Sequence, residues 1–349
     1  MNFYTEPEDA GYAHRAEVLS QFKALLGKER RKADARRKQY FRPDLSSIEA
    51  YRESIVPYRQ EFKEMLGWPL TEDYPGKKPK VRRKFVAEDD QARITRLWIE
   101  MFPGVETYGI LFMPPGDGPH PLIISQHGGG GTPEYCSSFH TSWNYNDMTR
   151  RILKRGFAVF APQLMLWAEY LGPKCDFNAL DRELKTFGGS MAACEILRLQ
   201  RCLDYLLSRQ DIDENRVGMI GLSWGSFYTM VTAAVDTRIR SALASCFFNS
   251  HAFSGAMGGS NVWFNSANLF LGAEIAGLIC PRRLCIEIGT QEKGAFSPRL
   301  AQKQLRTVEK FYGDLGIPGE FMYNEHDWGH EVDRKDEAIR FLIKGLKKL

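Results

Sequence analysis

The apolar positions of this chain keep a helical spacing first and a strand-like spacing afterwards. Over the first ~75 residues the pattern is helical and densely charged, predicting one helix from about Arg15 to Tyr40 and a second from Ser47 to Leu66. In the second, Ile48, Tyr51, Ile55, Tyr58, Phe62 and Leu66 recur at steps of three and four, which gathers them on one face that must be buried. Pro57 should bend or split this helix, because proline lacks an amide hydrogen and its ring clashes with the preceding turn. Pro75-Gly76-Lys77-Lys78-Pro79 then breaks the pattern and reads as a hinge.

From residue 80 the period becomes two. Arg93, Thr95, Leu97, Ile99 and Met101 alternate with Ile94, Arg96, Trp98 and Glu100, and a second strand, Glu106 to Met113, follows a Pro103-Gly104 turn. Short apolar, β-rich runs come next: Leu122–Ser125, Ala158–Phe160, Val217–Ile220, Ala242–Ala244, Leu284–Ile288 and Gly319–Tyr323. Helices are predicted between and after them at about 145–155, 189–209, 225–235, 298–315 and 333–348. Strands alternating with helices imply a mostly parallel central sheet covered on both faces, here preceded by antiparallel strands. The expected organisation is a helical N-terminal extension over 1–76 and an α/β domain over 77–349.

Composition fits this picture, with 43% hydrophobic and 26% charged residues and a net charge of +4. The charge is too mild to ask for nucleic acid or an anionic membrane. Two basic clusters, Lys28–Lys38 and Lys77–Lys84, lack the interleaved aromatics that stack on bases, and read as a solvated helix face and a polar linker. The N-terminus has neither a basic nor an apolar segment of a signal peptide, and no run approaches the length of a membrane span. Seven cysteines without a C-x-x-C pair read as reduced thiols. A cytoplasmic location is expected, or a secreted one if a leader has been removed.

The strongest chemical signal is Gly221-Leu222-Ser223-Trp224-Gly225, between an apolar strand and a helical run. This is G-x-S-x-G in the strand–turn–helix context that presents a nucleophilic serine at a helix N-terminus. The serine needs a base, and the base an orienting carboxylate. His330, in the loop after the last strand, is the expected base, with His326 the alternative; a metal pair made by His326 and His330 is disfavoured because Gly329 weakens the helix it would need. Gly329 should also let this loop approach closely. Glu292 is the only carboxylate in the loop after Leu284–Ile288 and is the expected acid, with Asp327 and Asp333 its competitors. Trp224 and the loop Gln126-His127-Gly128-Gly129-Gly130-Gly131 are expected to supply oxyanion donors, from the amides of Trp224 and of Gly129 or Gly128, with His127 pinning the loop. Trp143, Trp167, Tyr170 and Trp263 either form a sugar platform or pack the long loops.

These motifs, with Ile279-Cys280-Pro281-Arg282-Arg283-Leu284 and Asp211–Gly218, resemble the dienelactone-hydrolase-like and acetyl-xylan-esterase-like branch of the α/β-hydrolases over roughly residues 80–349. Two positions depart from that branch: Glu292 stands where Asp is usual, and Gln163 follows Ala161-Pro162 where relatives place Asp. The resemblance implies the α/β-hydrolase fold, a serine esterase acting on small or carbohydrate-borne esters, and no metal or organic cofactor. A prolyl-oligopeptidase-like serine peptidase and a non-catalytic binding protein on the same fold are the alternatives. Neither nucleic acid nor a membrane is expected as partner, and the N-terminal helices should pack on the catalytic domain or join copies in a homo-oligomer.

Overall fold

The period-two segments pair with their sequence neighbours first. In a computed structural model, which describes residues 1–72, 78–165, 175–248 and 262–347, β1 (Val81–Glu88), β2 (Arg93–Phe102) and β3 (Val105–Met113) form an antiparallel meander. Then β4 (His120–Gln126), β5 (Ala158–Pro162), β6 (Ile212–Leu222), β7 (Ile239–Ser245), β8 (Arg283–Gly289) and β9 (Phe321–His326) run parallel, with β3 antiparallel to β5. Their order across the sheet is β1-β2-β3-β5-β4-β6-β7-β8-β9. The chain leaves β4 towards β5 on one side and later adds β6 on the other. The C-terminal ends of β4 and β6 therefore lie at a topological switch point, and the glycine-rich loop and the serine turn emerge there.

Three N-terminal helices, α1 (Tyr12–Tyr40), α2 (Ile48–Ser54) and α3 (Val56–Leu66), precede the sheet. The short α4 (Pro133–Cys136) and α5 (Met148–Leu153) lie between β4 and β5, and α6 (Phe177–Thr186) and α7 (Met191–Leu206) between β5 and β6. After β6 come α8 (Trp224–Val235), α9 (Ser266–Leu269), α10 (Gly272–Ile279), α11 (Pro298–Asp314) and α12 (Glu337–Lys344). Because successive strand residues point to opposite faces, the core splits into two layers. Leu122, Ile124, Met219, Ala242, Leu284 and Ile286 face the layer shared with α3, α7, α8 and α10. Ile123, Ile220, Leu243 and Cys285 face the layer shared with α5 and α12.

Pro57 splits the second predicted helix: α2 stops at Ser54 and Pro57 sits in the first turn of α3. The apolar face is buried as its spacing required, with Tyr51, Ile55, Phe62 and Leu66 inside the larger core layer. Tyr51 donates its hydroxyl to the Gly277 carbonyl at 2.9 Å, and Arg59 reaches the carbonyls of Ala234 and Leu278.

Some elements differ from expectation. Part of the Lys77–Lys84 cluster is the edge strand β1 and not a linker. An edge strand has solvent beside it, so Arg82, Arg83 and Lys84 stay exposed while its backbone pairs with β2. In the other cluster Arg37 is buried, 3.4 Å from Glu274, where a solvated face was expected. Helices α6, α9 and α10 were not anticipated. The predicted boundary at 76/77, and most of the hinge, lie outside the described residues. All seven cysteines are free thiols, six of them buried. Among the described residues no helix is long and apolar enough to cross a membrane.

Candidate active site

The serine turn is strained. Ser223 stands between β6 and α8 with φ 58° and ψ −121°, a conformation that costs a residue with a side chain about 1–3 kcal/mol. It is held by its amide donating to the Ser245 carbonyl at 2.8 Å, and by its carbonyl accepting from the Phe227 amide at 3.0 Å. The glycine-rich loop presses on this turn. A Cβ at Gly128 would lie 2.8 Å from the Leu222 carbonyl oxygen and 3.1 Å from Ser223 Cβ, and one at Gly225 would overlap the carbonyls of Gln126 and His127.

His127 is fully buried at the root of that loop. Its Nε2 accepts from the Leu164 amide at 2.9 Å, with Gln163 Nε2 at 3.1 Å, so the ring proton sits on Nδ1 and is donated to the Gly128 carbonyl at 2.7 Å. Burial lowers its pKa to about 3, which keeps it neutral. Gln163, standing at the departure from the family pattern, thus serves the imidazole directly. The amide of Gly128 donates to Tyr145 Oη at 3.0 Å and is engaged there. That leaves the exposed Gly129 as the loop's candidate donor. The Trp224 amide opens α8, where helix N–H groups have no intrahelical acceptor.

His330 and Glu292 are together. His330 Nδ1 lies 3.0 and 3.1 Å from the two Glu292 carboxylate oxygens, and Glu292 is buried while the imidazole is partly open. A hydrogen on Nδ1 shared with the carboxylate leaves Nε2 as the basic nitrogen. The two loops are tied by Thr290 N to the His326 carbonyl at 2.8 Å, Gln291 N to the Trp328 carbonyl at 3.1 Å, and Gln291 Nε2 to the Asp327 carbonyl at 2.6 Å. The close approach is made by Gly289, whose Cβ would overlap the carbonyls of Trp328 and Gly329; Gly329 itself has open space, contrary to expectation. The competitors are engaged or directed elsewhere. Asp333 accepts from Asn324 Nδ2 and the Lys335 amide, Asp327 is exposed, and His326 is buried with Nδ1 accepting from the Trp328 amide.

Two groups escaped the sequence reading. Glu287, buried in β8, accepts from Ser245 Oγ (2.7 Å), the Asp333 amide (3.0 Å) and Asn324 Nδ2 (3.1 Å). It fastens the loop bearing His330 to the sheet, and burial raises its pKa. An acid inside an otherwise apolar strand was its only signal. Cys246, at φ 60° just past β7, places Sγ 3.4 Å from the Glu331 carbonyl. Its sulfur, a Glu292 oxygen and a His330 nitrogen lie within 4.8 Å of one another, a set that could hold a soft divalent cation. Burial, and then the charge of Glu292, hold that thiol well above its usual pKa, so a cation would have to displace its proton.

An aromatic path connects the serine turn to His330. Trp224 packs on Phe247 (5.5 Å between ring centroids), Phe247 on Phe296 (5.7 Å), and Phe296 on His330 (4.6 Å). Trp143 is half exposed and stacked on Tyr135 at 4.1 Å. Its neighbour in sequence, Asn144, donates to the His330 carbonyl at 2.8 Å. Trp263 is buried against Phe62 and Phe227, which is a packing role. Trp167 and Tyr170 lie outside the described residues.

Residues 138–249 match the model of the dienelactone hydrolase family. Over 307 residues the chain is 24% identical to YtaP of Bacillus subtilis (strain 168), which is named as a hydrolase, covering 82% of this chain and 98% of that one. A glucuronoyl esterase structure from Solibacter usitatus superposes with a TM-score of 0.63 at 15% identity, covering 88% of this chain and 98% of that chain. Acetyl xylan esterase 1 from Thermoanaerobacterium sp. JW/SL YS485 gives 0.58 at 16%, covering 84% and 94%. The chain has the α/β-hydrolase fold, and it is similar to the dienelactone-hydrolase-like and acetyl-xylan-esterase-like branch of that superfamily.

Proposed function

We propose that this chain is a serine carboxylic-ester hydrolase working through an acyl-enzyme, with small or carbohydrate-linked esters of the acetyl type as substrates. The observation that carries the reading is the His330–Glu292 pair, a half-open imidazole on a buried carboxylate, at the sheet edge where the strained Ser223 turn emerges. Ser223 Oγ attacks the ester carbonyl while His330 Nε2 takes its proton. Glu292 orients the imidazole and stabilises its charged form. The Trp224 and Gly129 amides hold the oxyanion. His330 then returns the proton to the leaving alcohol, and water releases the acid by the same steps in reverse roles. Structural neighbours named as acetyl xylan and glucuronoyl esterases favour a carbohydrate-borne ester, and the half-exposed Trp143, next in sequence to the Asn144 that bonds the His330 carbonyl, offers a face for a sugar ring.

A panel of acetyl, butyryl, feruloyl and glucuronoyl esters, with an aminoacyl anilide beside them, tests this reading. The expected result is turnover of a short-chain or sugar ester and none of the anilide. Preferred cleavage of the anilide would mark a peptidase.

A further inference from the structure

The first half of α1 stands clear of the protein. Its last turns dock on α9, where Ala33 is buried, Arg37 bonds the Ala267 carbonyl and Arg36 bonds Asn268. Every residue from Tyr12 to Leu26 is exposed. Yet Tyr12, Val18, Leu19, Phe22, Leu25 and Leu26 are 42–63% exposed apolar side chains on that stretch. Tyr12, Arg15, Leu19, Phe22, Leu26 and Glu29 alternate steps of three and four, the seam of a two-helix coiled coil, with Val18 and Leu25 widening it; Ala33, next on that line, is already covered by α9.

We propose that this seam pairs antiparallel with α1 of a second copy, about a two-fold axis near Phe22. Charge sets both occupant and direction. Residues 6–17 carry four acidic groups against the single Arg15, whereas residues 28–38 carry seven basic groups, of which Arg37 is buried in the dock on α9, against two acidic ones. A parallel pair would set like ends together; an antiparallel pair lays each acidic end along the other's basic end. The two charged seam residues, Arg15 and Glu29, lie seven positions on either side of Phe22, so the antiparallel pair brings Arg15 of each copy to Glu29 of the other. In one copy Glu29 lies against Lys32 and Arg36, and Arg15 over the Tyr12 ring. A helix of 29 residues is about 43 Å long, and an antiparallel overlap of Tyr12–Lys32 about Phe22 puts the two bodies at opposite ends of the rod.

Sedimentation of the full chain from about 1 to about 100 µM tests the pairing. The wild type should be a dimer, and Leu19→Glu with Phe22→Glu a folded monomer of unchanged ester turnover, since both side chains are exposed in the single copy and lie far along the chain from the active site. Arg15→Glu should weaken the dimer about tenfold or more, and adding Glu29→Arg should restore it, because the swapped charges face each other only in the antiparallel pair. A wild type that stays monomeric at about 100 µM overturns the proposal, and its binding to phosphatidylglycerol vesicles would then name a membrane surface as the occupant. A Leu19→Glu, Phe22→Glu variant that stays dimeric, or a charge swap that fails to restore pairing, overturns it equally.

Discussion

Glu292 and Gly289 illustrate how one position controls another in this site. Gly289 lets the β8 loop lie against the Trp328 and Gly329 carbonyls, and that approach brings the longer Glu292 side chain to His330 Nδ1. Glu292→Gln keeps the shape and removes the charge, so kcat should fall about 10³- to 10⁴-fold with KM little changed. Glu292→Asp should retain part of the activity. Near-normal turnover in Glu292→Gln, with collapse in Asp333→Asn, would move the acid to the β9 loop. His127 gives a pH prediction. Its folded pKa, about 3, is below the ordinary value of 6.5, so the unfolded chain takes up the proton first. The stability this neutral histidine contributes is complete above about pH 6.5 and is lost as pH falls towards 3. Between pH 6.5 and 5, where most carboxylates stay ionised, wild-type unfolding free energy should fall by up to about 1.4 kcal/mol per pH unit more steeply than that of His127→Gln. Equal slopes in denaturant titrations would show that the ring is not held neutral. Ser223, His330 and Glu292 could be picked out in the sequence because motif and chain order name them. Cys246 could not, since its nearness to Glu292 and His330 depends on the fold bringing three separate loops together.

At the scale of elements, the β-runs from Leu122 to Ile288 could be read because strands buried on both faces must be almost wholly apolar. Strand β1 could not, because an edge strand carries charges at no cost and its Arg82, Arg83 and Lys84 look like linker. Helix α10 escaped because Gly272–Ile279 is buried along its whole length, which erases the amphipathic period, and α9 because its four residues are too few to show one. Glu287 ties the loop bearing His330 to the sheet: it joins β7, β9 and the Asp333 amide in one buried network. Glu287→Ala strands those donors and should cost about 2–3 kcal/mol in unfolding free energy, read by denaturant titration. A loss below about 0.5 kcal/mol would mean that the network does not hold the loop.

Across the whole molecule, the N-terminal helices play two parts. The α2–α3 face completes the larger core layer, while the first half of α1 leaves it. A chain lacking residues 1–30 should therefore keep its melting temperature and its ester turnover. One beginning at Lys78 loses four fully buried side chains worth about 1.5–3 kcal/mol each, close to the whole stability of a domain, and should aggregate. If the shorter chain is soluble and fully active, the helices are an independent tail. The central claim, that Ser223 is an activated nucleophile served by His330, has its most direct test in labelling of the intact protein by a fluorophosphonate, followed by mass spectrometry. The account predicts one adduct per chain, located on Ser223, absent in Ser223→Ala and formed at least about a hundredfold more slowly in His330→Ala. An adduct that maps elsewhere, or that persists undiminished in Ser223→Ala, contradicts it.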